Sequence, residues 1–282
     1  MVQANASHIL ANKVVLITGA SQGLGRHFAT VLAKAGALVV ATSLKSDMSK
    51  LDDLVREITA QGGKAIAMDI DMREYDQFDL KIAAIVKETQ HIDILINNAG
   101  VSYYSKFFDI TERDWDAHLD VNLKGAFFLS QAVAREMARQ KHPGNIINIG
   151  SIAGNQVKKY ALPFCISKAG LHHLTRIMAF ELLDMGIRVN AISLGLFPSE
   201  HVAEYIATEA GKKFIAQIPL KRPCEYQEID GALLLLASNT SSYMTGSIIE
   251  VDGGFAIDIF LKEDFEDPNQ KQNTFFKRQE IE

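Results

Sequence analysis

The chain alternates between two hydrophobic rhythms. Short runs of consecutive apolar, β-branched residues are followed by longer stretches in which apolar residues recur every three or four positions. The first rhythm suits strands buried on both faces, the second helices with one buried stripe. Val14-Val15-Leu16-Ile17 reads as an opening strand that ends at Thr18-Gly19. Leu24, Phe28, Val31, Leu32 and Ala35 then share a helical face, and Gly36 stops the helix. The pattern repeats. Leu38 to Ala41 is a strand, and Leu51, Leu54, Val55 and Ile58 mark a helix ended by Gly62-Gly63. Ala65 to Met68 is a strand, and Phe78, Ile82, Ile85 and Val86 mark a helix. Ile92 to Ile96 is a strand, followed by one long helix over Thr111 to Arg139. Asn145 to Ile149 is a strand followed by a helix over Pro163 to Leu183, and Arg188 to Ile192 is the sixth strand. Helices near His201 to Ala210 and over Glu225 to Ala237 precede a last strand, Ser247 to Val251.

Apolar strands each followed by a helix predict an α/β fold: a Rossmann-type doubly wound parallel sheet, a single domain with helices on both faces. No internal repeat or low-complexity linker divides it. Composition changes near the end. Residues 1–256 are read as one dinucleotide-binding and catalytic domain, and 257–282 as a polar extension, either partly disordered or packed on a neighbouring subunit.

Charge and cysteine content narrow the partners. The formal charge is −5, with no basic block, which argues against nucleic acid and anionic membranes. The longest apolar run, Ala232 to Ala237, is too short to span a bilayer, and Met1 to Lys13 lack a signal-peptide pattern. The two cysteines, Cys165 and Cys224, make no disulfide framework. A reducing compartment, the cytoplasm, is expected.

Candidate chemistry begins where the first strand meets its helix. Thr18-Gly19-Ala20-Ser21-Gln22-Gly23-Leu24-Gly25 places three glycines at a strand-to-helix turn. Glycine permits a tight turn and close approach of backbone to a pyrophosphate, and helix N-terminal amides meet the anion. A bare glycine triplet would also serve as a plain turn; its position in a βαβ unit favours the dinucleotide reading.

The T-G-x-x-x-G-x-G spacing resembles that of the short-chain dehydrogenase/reductase family. Further motifs follow in that family's order: Asn97-Asn98-Ala99-Gly100, Val121-Asn122, Ser151, Lys168, Tyr243-Met244-Thr245-Gly246 and Val251-Asp252-Gly253-Gly254. The resemblance covers residues 10–256. It implies strand order 3-2-1-4-5-6-7, a homotetramer or homodimer, and a small ketone or secondary alcohol as substrate. The branch it is most similar to holds 3-oxoacyl reductases and polyol dehydrogenases.

The resemblance also assigns cofactor contacts: Gly19, Ser21, Gln22, Gly23, Leu24 and Gly25 in the turn, Asp69 and Ile70 at the adenine, Asn98, Ala99 and Gly100 beyond the fourth strand. Lys168 holds the nicotinamide ribose, and Gly195, Phe197 and Ser199 flank the nicotinamide. Relatives that prefer NAD close the second strand with an acid that holds the ribose hydroxyls. Here Ser43 stands there, followed by Leu44 and Lys45. Without a carboxylate a 2′-phosphate is not repelled, so NADP is favoured over NAD. Ser46 or Asp47 is read as the N-cap of the next helix, not as a ribose ligand.

In this family a serine orients the substrate oxygen, a tyrosine phenol gives the proton, a lysine lowers the phenol's pKa and an asparagine supports a relay water. The motifs place Asn122, Ser151 and Lys168 in three of these roles. The tyrosine should lie thirteen residues after Ser151 and four before Lys168, and both counts lead to Phe164. The four-residue step keeps both side chains on one helical face. Phenylalanine fills the space but neither donates nor accepts a proton. Loss of a positioned general acid costs about 10²–10⁴ in rate. Leu194-Gly195 also replaces the family's Pro-Gly. Two readings stand: an NADP(H)-dependent oxidoreductase impaired at Phe164, or a non-catalytic nicotinamide-binding protein acting as a sensor or silent partner subunit.

Other features are set aside. His172-His173 are adjacent on a helix and face different ways, so they make no metal site. Tyr160 could approach the pocket, but no lysine is spaced beside it. Tyr103, Tyr104, Phe107 and Phe108 could line an apolar substrate pocket or pack in the core or between subunits.

Overall fold

The computed structural model describes residues 8–141, 143–197, 202 and 206–257. Seven strands form one sheet: β1 Val14–Thr18, β2 Leu38–Ser43, β3 Lys64–Asp69, β4 Ile94–Asn97, β5 Gly144–Ile149, β6 Ile187–Leu194 and β7 Ile248–Val251. All pairings are parallel and the order is β3-β2-β1-β4-β5-β6-β7, the order expected. The helices are α1 Gly23–Lys34, α2 Met48–Ala60, α3 Phe78–Thr89, α4 Glu112–Leu119, α5 Ala126–Gln140, α6 Leu162–Glu181, α7 Glu209–Ile215 and α8 Asp230–Ala237.

Both faces of the sheet are covered because both alternate sets of strand residues are apolar. Val15 and Ile17 face Phe28 and Leu32 of α1, Leu51 and Leu54 of α2, and Leu233 and Leu236 of α8. Val14 and Leu16 face the other core, with Phe78, Ile82 and Ile85 of α3, Leu129 and Val133 of α5 and Met178 of α6. The chain winds outward from β1 through β2 to β3, then crosses back to place β4 on the other side of β1. That reversal opens a crevice at the carboxyl ends of β1 and β4, the standard ligand position in an open α/β sheet.

Three sequence expectations change. The helix expected over Thr111 to Arg139 is broken. α4 and α5 are joined by a π-helical segment, Asp120–Gly125, which carries Asn122. Two local contacts accompany the widened turn. Gly125 packs so close to α3's lead-in that a Cβ would lie 2.3 Å from the Met72 carbonyl, and Asn122 bonds sideways to Val101. The helix over Glu225 to Ala237 begins as a 3-10 turn, Tyr226–Ile229, before α8. Of the helix expected near His201 to Ala210, residues 201 and 203–205 lie outside the described residues; 202, 206 and 207 are helical, and α7 begins at Glu209 and runs past the expected end to Ile215. Ser199 and residues 258–282 also lie outside them.

Candidate active site

The glycine turn is built by backbone needs. Gly19 has φ +66° and Gly23 has φ +55°, a region other L residues rarely adopt. A Cβ on Gly25 would lie 2.2 Å from the Gly19 carbonyl and 2.5 Å from Asn98 Nδ2, so α1 can approach the turn only as glycine. The turn is braced from β4. Asn98 Nδ2 donates to the Thr18 carbonyl at 2.8 Å, and Thr18 Oγ1 accepts from the Asn98 and Ala99 amides at 3.0 Å. Asn98 is thereby a brace of the turn, its amide engaged by protein carbonyls.

At the N-terminus of α1, the N-cap Gln22 makes no side-chain capping bond. The first amides of the helix are therefore open to an anion, with the helix dipole adding to the attraction. Gln22 and Gly23 are exposed, and Leu24 is buried in the core beneath them. A Cβ on Gly23 would meet only the Tyr226 hydroxyl, 3.9 Å away. Tyr226 thus overhangs the turn, stacked on His27 at 5.5 Å. No sequence signal marked it, because two hundred residues separate it from the turn.

The end of β2 departs from expectation. Ser43 Oγ donates to Ser21 Oγ at 3.0 Å, and both hydroxyls reach Asp47 Oδ2 at 3.4 Å. Asp47 also pairs with Lys50 at 3.0 Å, and Lys50 reaches Gln22 Oε1 at 3.3 Å. Asp47 occupies the N-cap position of α2, but its side chain makes no capping bond. The reading of Asp47 as a capping side chain is corrected: two better-placed hydroxyls and a lysine take the carboxylate toward the glycine turn. Lys45 is exposed beside it. Asp69, at the end of β3, pairs with Lys81 at 2.7 Å. Its carboxyl is held below the ordinary value, chiefly by that hydrogen bond. Ile70 is buried, and its amide donates to the Ser43 carbonyl at 2.8 Å.

The residues expected at the reaction centre come from four elements. Lys168 of α6 is buried, and its Nζ donates to the Ile149 carbonyl at 2.8 Å. Burial pushes its pKa down to about 8. The same Nζ lies 5.9 Å from the Phe164 ring centroid, one helical turn away. A Cβ on Gly100 would lie 3.8 Å from Lys168 Nζ and 3.2 Å from Asn122 Oδ1, so this exposed glycine leaves the opening clear. Asn122 Oδ1 accepts from the Val101 amide at 2.8 Å. Its Nδ2 donates to the Val101 carbonyl and to Ser167 Oγ, both at 3.0 Å. Only one lone pair of Oδ1 is left over. Ser151 Oγ accepts from the Ala153 amide at 3.2 Å, which leaves the hydroxyl proton free to donate.

A buried histidine that the sequence reading passed over sits behind Phe164. The His118 ring meets the Phe164 ring edge-on at 6.3 Å and the Tyr103 ring at 5.3 Å. His118 Nε2 accepts from the Tyr103 amide at 3.0 Å, and Nδ1 lies 2.6 Å from the Asp114 carbonyl. Both nitrogens are engaged by backbone, which assigns the Nδ1–H tautomer and leaves no proton to offer toward the Phe164 position. Tyr160 does not replace it either. It stands at φ +67° on the approach to α6, exposed, with Lys159 Nζ 5.1 Å from its ring centroid. His172 is buried and His173 exposed, and no cluster of metal ligands occurs among the described residues.

On the far side, Gly195 carries the loop past β6. A Cβ there would lie 2.6 Å from Asp252 Cα, so the close contact excludes side chains. Phe197 is half-buried, 6.2 Å from Tyr226 ring to ring. The aromatic group after Gly100 is not core: Tyr103, Tyr104, Phe107 and Phe108 are all more than half exposed, Phe108 at 95%. That removes core packing from the roles the sequence left open.

Seven parallel strands, a glycine turn at the switch point and a serine–lysine–asparagine set beyond it define a nicotinamide-dinucleotide oxidoreductase scaffold. The sequence model described as enoyl-(acyl carrier protein) reductase matches residues 19–256. A 3-oxoacyl-(acyl-carrier-protein) reductase of Thermotoga maritima is 36% identical over 248 residues, 88% of this chain and 99% of that protein. A 2-dehydro-3-deoxy-D-gluconate 5-dehydrogenase of Escherichia coli is 33% identical over 247 residues, 87% of this chain and 96% of that one. Among solved structures, a gluconate 5-dehydrogenase of Burkholderia cenocepacia in complex with NADP and tartrate superposes with a TM-score of 0.85. It is 30% identical, with 90% of this chain and 99% of that one covered. The chain belongs to the short-chain dehydrogenase/reductase family, whose members are NAD(P)-dependent oxidoreductases.

Proposed function

We propose that this chain binds NADP(H) at the glycine turn and is an impaired reductase of a small ketone, or dehydrogenase of the matching secondary alcohol. Phe164 standing 5.9 Å from Lys168 Nζ, with Asn122 Oδ1 and that Nζ facing the same Gly100 opening and the Ser151 hydroxyl proton unspent, is the observation that carries this reading. The site is a complete short-chain dehydrogenase set less one oxygen.

The residues fit the dinucleotide. The uncapped α1 N-terminus and the open space at Gly23 suit a pyrophosphate. Ser21, Ser43, Lys45 and Lys50 suit a 2′-phosphate once Asp47 turns aside. Three solved relatives carry NADP, which supports the same choice. When bound, the reduced nicotinamide supplies the hydride. Lys168 would hold the nicotinamide ribose, and the Ser151 hydroxyl would donate to the substrate oxygen and fix its position. Asn122 braces the strand-end loop through Val101. At Phe164 no proton is available, so protonation of the product oxygen falls to solvent. The impairment follows from that one gap.

A non-catalytic role remains the second reading, favoured by the same Phe164. We also place the chain in the cytoplasm and in a homodimer or homotetramer. The exposed Ile177 and Phe180 of α6 support an apolar contact face, and both cysteines are free. Among the described residues no helix is long and apolar enough to cross a membrane.

Fluorescence titration with NADPH and NADH, followed by turnover with a panel of ketones, tests the proposal. NADPH binding with slow, measurable turnover is the expected result. Binding without any turnover would favour the sensor or silent-subunit reading, and no nicotinamide binding at all would defeat both.

A further inference from the structure

Two surface connections frame the opening above the reaction centre. One runs from Gly100 through Lys106; the other runs from Asn155 to Ala161, between Ser151 and the start of α6. They are tied together by the Ser105 amide donating to the Tyr160 carbonyl at 2.9 Å. The second is also anchored to the turn after β7, by Gln156 Nε2 donating to the Phe255 carbonyl at 3.1 Å.

Lys158 sits on this rim in an unusual setting. Its Nζ donates to Tyr104 Oη at 3.0 Å and lies 4.7 Å from the Tyr104 ring centroid and 5.5 Å from that of Phe214. Among the described residues no carboxylate lies within ion-pair distance of it. A cation held by a phenol and two π faces keeps its full charge, and is oriented without being neutralised. The phenol answers to it. Burial pushes the Tyr104 pKa up, and the bonds from Lys158 and Ser102 outweigh that and bring it below the ordinary value.

From this rim toward Phe164 the accessible surface is aromatic. Tyr103 is more than half exposed and Phe164 partly so, with the His118 ring buried behind them at 5.3 Å and 6.3 Å. The path between Lys158 and the Ser151–Lys168 centre therefore favours an apolar or aromatic stretch of substrate.

We propose that Lys158, set by Tyr104 and Phe214, is the recognition site for a substrate carboxylate, so that the natural substrate is an oxo acid, or its hydroxy-acid counterpart, with an apolar spacer between carbonyl and carboxylate. This rests on the oxidoreductase reading above and names the substrate class of that site. A lysine ammonium is a compact point charge without the bidentate fork of a guanidinium, and it suits a monoanion better than a phosphate, which recruits several donors.

The test is a binding measurement. Para-acetylbenzoate and a homologous series of straight-chain oxo acids, each beside its methyl ester, are titrated calorimetrically into the full chain with and without NADPH. At least one acid is expected to bind about tenfold or more tighter than its ester, with the advantage shrinking as salt rises. Lys158→Met should erase the preference and Lys158→Arg should keep most of it, with NADPH affinity unchanged in both. Acids and esters binding alike throughout the series, or a preference that survives in Lys158→Met, overturns the proposal. Failure of NADPH to bind the parent chain is read separately, and counts against the oxidoreductase reading.

Discussion

At the scale of single residues, the site is decided by a few polar atoms whose positions the chain could not announce. Ser151, Asn122 and Lys168 were legible because motif order and spacing placed them, and Phe164 because two independent counts met on it. The brace between Asn98 and Thr18 and the overhang of Tyr226 were not, since they depend on contacts across the fold. Asp47 shows the limit most clearly. In sequence it stands at a helix start, where a capping role is the ordinary expectation. In space it is drawn to Ser21, Ser43 and Lys50, beside the place a ribose 2′-substituent must occupy. Its carboxylate opposes a 2′-phosphate. Asp47→Ser should therefore tighten NADPH several-fold, on the order of 1 kcal/mol, while NADH binding holds or weakens. Parallel fluorescence titrations of the two nucleotides check this, and equal changes in both would show that Asp47 does not face the ribose.

At the scale of elements, periodicity found every strand and most helices, because apolar runs and three-to-four spacing are local signals. It could not see the π segment at Asp120–Gly125, where apolar residues keep a helical rhythm through the irregularity. Nor could it place helix ends such as the 3-10 turn before α8. The π segment depends on Gly125. Any Cβ there meets the Met72 carbonyl and, at 3.0 Å, that of Asp120. Gly125→Ala should destabilise the fold by about 1–3 kcal/mol, read from urea unfolding, and should displace Asn122. The start of α4 is a milder case. Thr111 and Asp114 form a reciprocal capping box, with Thr111 Oγ1 accepting from the Asp114 amide at 3.1 Å. Thr111→Ala should cost about 1 kcal/mol in the same assay without touching nucleotide affinity.

At the scale of the whole molecule, the doubly wound sheet was legible because its strands are apolar on both faces and helices separate them. The buried polar links that cross it were not. His172, one turn beyond Lys168, is such a link. Its Nδ1 lies 3.2 Å from Asn155 Oδ1, Asn155 reaches Glu250 at 3.0 Å, and the buried His172 Nε2 has no partner among the described residues. Burial first, then the charges of Lys168 and Arg176, push its pKa down to about 4 from 6.5. The neutral ring is thus favoured in the fold, while the unfolded chain takes up the proton near 6.5. Stability from this group is full above pH 6.5 and is lost as pH falls toward 4. Melting temperature should drop over that interval, by the equivalent of about 3 kcal/mol, and His172→Gln should flatten the drop. The central claim concerns the whole assembly: a nucleotide site and a reaction centre complete except for one oxygen. Turnover of the ketone panel by Phe164→Tyr beside the parent, at saturating NADPH, tests it most directly. A gain of about 10²-fold or more with unchanged NADPH affinity is the predicted result. Equal rates for the two proteins, with NADPH bound to both, would contradict it.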